Sequence, residues 1–135
     1  MAFKFEKLEV WQRALDYSDQ AEALASSLPN QERYNLSDQL RRAATSIALN
    51  IAEGAVGQTD AEQSRFLGYA QRSLVETVAC LHLIHRRGYV PPEALREAYA
   101  EAETLFRQLA AFRRSLGRAS GVGEATTDYD ASVPF

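Results

Sequence analysis

Apolar side chains recur through residues 36–54 at the three- and four-residue spacing that places them on one face of an α-helix. These positions are Leu40, Ala43, Ala44, Ile47 and Ile51. The run begins near Leu36 and reaches Gly54, and glycine is the residue that a left-handed helix end prefers. The pattern therefore predicts an amphipathic helix that packs through one face and stops at Gly54.

A second line of polar side chains follows the same period beside that apolar face. Its members are Gln39, Arg42, Ser46, Asn50 and Glu53, all able to donate or accept hydrogen bonds. One interpretation is a solvated flank or a hydrogen-bond network between helices, because exposed helix faces are normally polar. The other is a subunit contact or a ligand surface, and the pattern leaves both open.

Three further stretches carry helical periodicity, and no stretch is a convincing strand. They cover about residues 8–28, 59–87 and 92–116, which makes four predicted helices in all. Pro29 breaks the first helix, while Thr59 and Glu62 form the capping-box pattern that starts the third. Gly88 ends the third helix, and Pro92 suits the start of the fourth because the first N–H of a helix has no partner to lose.

Long helices joined by connections of a few residues pack as neighbours that run in opposite directions. We therefore expect an all-α protein, an antiparallel up-down-up-down four-helix bundle over residues 1–118. Its expected core residues are Trp11, Ile47, Ile51, Leu74 and Phe106. Residues 119–135 are richer in glycine, serine, threonine and acidic residues, which indicates an irregular acidic tail.

The composition is that of an ordinary globular protein, with 135 residues of which 46% are hydrophobic and 24% charged. No apolar run approaches the roughly 20 residues that span a bilayer, and the first residues lack the pattern of a secretory signal. The single cysteine, Cys80, cannot form an internal disulfide. We expect one cytoplasmic domain without a membrane partner.

The net charge of −3 becomes informative when it is divided along the chain. The tail holds Glu124, Asp128 and Asp130 but no Lys or Arg, so residues 1–118 carry 15 basic and 15 acidic groups. A neutral body lacks the strong positive footprint of a typical nucleic-acid binder. It still permits one basic face, which symmetry would repeat in an oligomer.

Candidate chemistry is sparse. His82 and His85 lie three residues apart on the third helix, but Cys80 points about 200° away from His82 on an ideal helix, so we interpret the pair as end-of-helix histidines rather than a metal site. An identifiable general base is lacking for Thr45, Ser46 and Ser73, and the segment Gly54–Gly57 lacks the Lys and the Ser or Thr of a phosphate-binding loop. We expect no enzyme, no cofactor and no metal.

Arginine is the remaining surface signal. The arginines of interest are Arg41 and Arg42 on the second helix, Arg65 and Arg72 on the third, and Arg107, Arg113, Arg114 and Arg118 on the fourth. They could form bands suited to phosphate contacts, or they could make ordinary salt bridges with the equally numerous acids. The sequence does not show which charges cluster.

Three motifs carry a family resemblance. They are Phe5-x-x-Leu8-x-Val10-Trp11-Gln12-x-Ala14, Pro29-x-x-Glu32-x-Tyr34-x-Leu36-x-x-Gln39-Leu40-Arg41-Arg42-Ala43-Ala44, and Ser46-Ile47-x-x-Asn50-Ile51-Ala52-Glu53-Gly54. Phe66-Leu67-x-x-Ala70-x-x-Ser73-Leu74-x-Glu76 continues them on the third helix. Together they resemble the four-helix-bundle family encoded in intervening sequences of bacterial 23S ribosomal RNA genes, over residues 5 to about 81. The chain departs from that pattern in two places: Arg72 replaces a common glycine, and Ala48-Leu49 replaces a frequent Pro-Ser pair.

That family in turn resembles the accessory variability proteins of diversity-generating retroelements, which form ring-shaped pentamers. The resemblance implies a ring-shaped homo-oligomer, with a pentamer as the expected state. It also implies an adaptor for RNA or DNA and for a protein such as a reverse transcriptase. The residues expected at its binding surface are Arg41, Arg42, Asn50 and Glu53, with Arg65 and Arg72 added for nucleic acid. The alternative is a protein-binding scaffold whose arginines pair with acids inside the ring.

Overall fold

A computed structural model describes residues 3–57, 59–120 and 134–135, with side chains through Gly117 and at 134–135. It contains the helices α1 (Glu9–Ser27), α2 (Leu36–Ala55), α3 (Asp60–Arg87) and α4 (Pro92–Ser120), with 3-10 turns at Lys4–Lys7 and Asn30–Glu32. No strand occurs in these ranges. The prediction of an all-α protein with four helices is confirmed. None of the described helices combines the length and the apolar character needed to cross a membrane.

The helix ends follow local chemistry at three of the predicted positions. The Thr59 side chain accepts a hydrogen bond from the Glu62 N–H at 3.0 Å, which caps the start of α3. Gly88 adopts the left-handed conformation with φ of 67°, and its N–H bonds back to His85 at the end of α3. Pro92 is the first residue of α4, where its missing N–H leaves no bond unmade.

The prediction that α2 stops at Gly54 in a left-handed conformation is wrong. Gly54 lies inside α2, which ends at Ala55, and Gly88 is the single residue of the described ranges with a positive φ. Gly54 instead allows α3 to approach closely, because a Cβ built on it would lie 2.8 Å from the Cβ of Phe66 and 3.3 Å from the Gln63 carbonyl oxygen. The glycine is therefore required by packing between helices rather than by a left-handed turn.

The four helices form a bundle in which each contacts its neighbour in sequence and α1 also contacts α4. Two buried clusters fill the interior. One includes Ile47, Ile51, Leu67, Leu74 and Leu105, and the other includes Leu36, Leu40, Leu81, Ile84 and Leu95. Ile47, Ile51 and Leu74 are confirmed core residues, whereas Trp11 and Phe106 are partly buried and pack against the edge of the first cluster.

A polar pair crosses the bundle between α1 and α3. The Thr77 hydroxyl donates to the Leu74 carbonyl at 2.6 Å, so the Tyr17 hydroxyl must donate to Thr77 across their 2.7 Å contact. Burial raises the pKa of Tyr17 to about 12. Both side chains are buried and hydrogen-bonded, which satisfies polar groups that would otherwise destabilise the core.

A buried carboxylate joins the two loops at one end of the bundle. Glu32 accepts hydrogen bonds from the Tyr89 hydroxyl at 2.6 Å, from Arg87 at 3.0 Å and from the Asn35 amide at 3.0 Å. The hydrogen bond from Tyr89 is the main reason that the pKa of Glu32 lies below its ordinary value. The network ties the connection between α1 and α2 to the connection between α3 and α4.

Phe135 lies against the outside of α3 and α4. Its ring centroid is 4.9 Å from both His82 and His85 and 5.7 Å from Tyr99, and Arg96 donates to its main-chain oxygen at 3.1 Å. The two histidines thus contact an aromatic ring on the bundle surface. The rest of the predicted tail, residues 121–133, lies outside the described ranges.

Candidate nucleic-acid interface

The structure divides the predicted binding residues between two shallow grooves. Arg41, Arg42, Asn50 and Glu53 line the first, which we call the α2 groove, together with Thr45, Ser46 and Leu49. Arg65 and Arg72 line the second, which we call the α3–α4 groove, together with Gly68, Tyr69, Gln71, Val75, Phe106 and Arg113. The two grooves measure about 430 and 370 Å³. The α2 groove is lined by both basic and acidic side chains, whereas the charged side chains that line the α3–α4 groove are arginines.

In the α2 groove, each arginine already has an acidic partner. Arg41 donates to Glu22 of α1 at 2.6 Å, and this hydrogen bond lowers the pKa of Glu22. Arg42 lies 3.6 Å from Asp38, although its side chain is 80% exposed and the pair is correspondingly weak. Glu53 adds a further carboxylate to the lining. A polyanion entering this groove would meet acidic groups beside both arginines.

The polar line of α2 is partly a network between helices. Ser46 and Ser73 of α3 are hydrogen-bonded at 2.8 Å, and the Asn50 amide donates to the Ser46 carbonyl at 2.9 Å and to its hydroxyl at 3.1 Å. These contacts support the interpretation that Ser46 and Asn50 belong to a hydrogen-bond network between helices. Leu49, which is 54% exposed, leaves an apolar spot in the same groove.

The α3–α4 groove is built around Arg113, which reaches from α4 to α3. Its guanidinium donates to the Gln71 side chain at 2.9 Å and to the Ser64 hydroxyl at 3.3 Å. Gly68 lies between these two residues on the same helix face, and a Cβ there would be 3.2 Å from the guanidinium. The glycine therefore lets the guanidinium rest directly on α3, held by neutral partners.

Arg65 and Arg72 complete the positive lining. Both are exposed on α3, and the Arg65 guanidinium lies 5.6 Å from the centroid of the Phe66 ring. Within the described ranges, neither of them nor Arg113 forms an ion pair with an acidic side chain. Among the described residues, three guanidinium groups thus share one groove with no carboxylate at ion-pair distance from any of them.

Sequence reasoning missed most of this second groove. Arg113 was one of several α4 arginines, and its register against α3 could not be known from the sequence. The available signal was the spacing of Ser64, Gly68 and Gln71, which makes a small polar seat on one helix face. Tyr69, Val75 and Phe106 were also absent from the predicted site. Arg118, another predicted member of the arginine band, has its side chain outside the description.

The remaining candidates for chemistry are the cysteine and possible metal ligands. Cys80 is buried, and burial raises the pKa of its thiol, so the thiol stays protonated at neutral pH. The residues that the structure describes include no group of three or more His, Cys, Asp or Glu side chains that could hold a metal ion. The expectation that the protein has no enzymatic activity stays a prediction.

Comparison with known proteins identifies relatives for the fold. A family model described as 23S rRNA-intervening sequence protein matches residues 6–111. A crystal structure of a Bacteroides thetaiotaomicron protein of unknown function, from the S23 ribosomal protein family, is similar with a TM-score of 0.73. The two sequences are 24% identical over 78% of this chain and 98% of that one, a likeness that shows the fold alone. A search of curated proteins found no match. The likeness to retroelement accessory proteins stays a prediction.

Proposed function

The chain belongs to the family of 23S rRNA-intervening sequence proteins, and from the charges of its α3–α4 groove we propose that it is a non-enzymatic adaptor that binds nucleic acid there. The observation that carries the proposal is the trio Arg65, Arg72 and Arg113, which line one groove without an acidic partner in the described part of the chain. Guanidinium groups match phosphate in charge and in fork geometry.

The charge of one protomer supports only a modest affinity. Three phosphate contacts would make log K fall with log salt at a slope of about −2 to −3, which is shallow compared with proteins that make six to ten contacts. A homo-oligomer would present several such grooves to one strand and raise the overall affinity through effective concentration. Oligomerisation would therefore reconcile a neutral body with useful binding.

We propose that the adaptor is an antiparallel up-down-up-down bundle that assembles into a ring, with a pentamer as the expected state. Antiparallel packing is supported by the contacts of α1 with α4. Glu9 lies beside Gln108 and Arg13 beside Glu101, so a step forward along α1 is a step backward along α4. Contacts of α2 with α3 reverse in the same way.

The buried thiol of Cys80 fits a reducing compartment such as the cytoplasm.

The α2 groove suits protein better than nucleic acid. Its arginines have acidic neighbours, its lining includes Glu53, and Leu49 offers an apolar contact. Interfaces between subunits combine exposed apolar side chains with a polar rim of this kind. We assign this groove to a neighbouring copy of the chain or to a protein partner such as a reverse transcriptase. If protein binding in the α2 groove were the whole activity, the protein would be a scaffold without a nucleic-acid role.

The test is binding of RNA and DNA oligonucleotides of about six nucleotides across a salt series, with the oligomer mass measured on the same samples. Arg72→Gln should weaken binding and reduce the salt slope by about 0.7 to 0.9. Arg86→Gln is the matched control, because Arg86 is exposed on the same helix about 21 Å further along and outside the groove. Arg42→Gln probes the α2 groove in the same assay.

The outcomes separate the two functions. Loss of binding with Arg72→Gln, but not with Arg86→Gln or Arg42→Gln, supports an adaptor that uses the α3–α4 groove. An intact oligomer that binds no oligonucleotide even at low salt would leave the protein-binding scaffold as the function.

A further inference from the structure

Apolar side chains alternate with arginines in the α3–α4 groove, and this mixture indicates which form of nucleic acid fits. We infer that the groove takes single-stranded nucleic acid and that the ring of Tyr69 is the platform on which a base stacks. This inference rests on the proposed function, because it names the ligand class of the same groove. It starts from Tyr69, Val75 and Phe106, which line the groove beside the three arginines.

The position of Tyr69 suits it to this role. Arg65, Tyr69 and Arg72 follow one another on α3 at spacings of four and three residues, so they lie along one helix face. The two arginines are then about 10 Å apart along the helix axis, which is the length of about three stacked nucleotides of one strand. A strand that gives phosphates to both arginines would carry its bases past the tyrosine between them.

The tyrosine ring is both accessible and held. Tyr69 is 41% exposed, and its ring packs edge-to-face on Phe66 with centroids 5.5 Å apart. Phe66 also has the Arg65 guanidinium 5.6 Å from its ring centroid, so the aromatic pair and the cation form one assembly. A ring fixed in this way loses little conformational freedom when a base stacks on it.

A duplex would not use these features. The bases of a duplex are already paired and stacked. A protein helix that does not enter the major or minor groove of the duplex therefore meets only its phosphates and sugars. The arginines could contact that backbone, but Tyr69 and Val75, which is 56% exposed, would meet no base. A single strand offers phosphates and unpaired base faces together, and a basic groove with aromatic side chains is the arrangement that binds it without sequence preference.

The test compares an oligonucleotide of about eight nucleotides with a duplex of the same sequence, on full-length protein whose oligomer mass and circular dichroism are checked for each variant. Tyr69→Ala should weaken binding of the single strand about 5- to 150-fold, as loss of one base stack does. The salt slope should stay unchanged, because no phosphate contact is lost. Tyr69→Phe keeps the ring and should bind like the unaltered protein.

Tyr34→Ala is the matched control, because Tyr34 is 86% exposed but lies outside the groove. If Tyr69→Ala alters the oligomer, Val75→Ala takes its place as the groove variant and should cause a smaller loss of single-strand binding. Equal binding of duplex and single strand, with no effect of Tyr69→Ala or Val75→Ala, overturns this inference while a loss in Arg72→Gln keeps the proposed function. Absence of binding to either polymer by the intact oligomer overturns both.

Discussion

Replacing Gly54 with alanine tests whether α2 and α3 are held at a distance that excludes one methyl group. The new Cβ would lie 2.8 Å from the Cβ of Phe66, whereas carbon atoms pack best at about 3.5 to 4.0 Å. Neither carbon can turn aside, since each is bonded directly to its helix backbone. The helices must therefore separate by about 1 Å, and strain of this kind costs about 1–3 kcal/mol.

The gain in helix propensity does not offset this strain. Alanine is favoured over glycine by about 1 kcal/mol inside a helix, but Gly54 is the second-last residue of α2, where the gain is smaller. We expect Gly54→Ala to lower the free energy of unfolding by about 1–2 kcal/mol. Urea unfolding at one fixed protein concentration measures this, because assembly would make the midpoint depend on concentration.

Gly68→Ala is the matched control, because the same methyl group meets a different neighbour. Its Cβ would lie 3.2 Å from the guanidinium of Arg113, the far end of a flexible side chain that can move. Gly68 is also well inside α3, where alanine gains its full propensity of about 1 kcal/mol. Shifting the guanidinium weakens its hydrogen bonds to Ser64 and Gln71, which offsets part of this gain, so we expect Gly68→Ala to lose less stability than Gly54→Ala.

Two results would contradict a close approach of α2 and α3 at Gly54. One is a Gly54→Ala variant at least as stable as Gly68→Ala. The other is a Gly54→Asn variant more stable than Gly54→Ala, since asparagine is larger and is preferred only if the residue adopts a left-handed conformation.

Three further predictions test the core, the loop network and the contact of Phe135. Leu74→Ala should cost about 2–5 kcal/mol in urea unfolding, because Leu74 is fully buried in the first cluster, and a cost below 1 kcal/mol would contradict its place there. Glu32→Gln should destabilise the protein at neutral pH. Folding lowers the pKa of Glu32, so the stabilisation from its charge is present above the pKa of the unfolded state and is lost as the pH falls through the pKa of the folded state. The difference in free energy of unfolding between Glu32→Gln and the unaltered protein should therefore narrow in acid. A difference that stays constant with pH would argue against the network. Phe135→Ala should shift the ring NMR signals of His82 and His85, which Tyr34→Ala should leave in place.

The helices were predictable because their signals are local. Apolar spacing, the Thr59 cap, Gly88 and Pro92 each act within a few residues, and the predicted bounds agree with the structure to within a few residues. The exception is Gly54, where a glycine near the end of a helix was interpreted as a turn. Only the packing of α3 against α2 shows that it is a point of close approach.

The binding surface was predictable in composition but not in arrangement. Arginines on α2 and α3 were the predicted candidates, yet among the described residues those of the α2 groove form ion pairs and those of the α3–α4 groove form none. The partner of Arg41 is Glu22, 19 residues earlier on α1, and Arg113 seats on a face of α3 more than 40 residues away. The spacing of residues within one helix cannot predict these pairs, because the two partners lie on different helices.

The sequence alone determined which segments are helical, which faces are apolar and how much charge the chain carries, because these depend on neighbours three or four residues apart. Within the described residues, the packing of the helices decides which arginines form an ion pair and which contact a neutral or aromatic side chain. That choice depends on how each helix is rotated about its axis and shifted against its neighbours, and core packing between the helices sets both quantities.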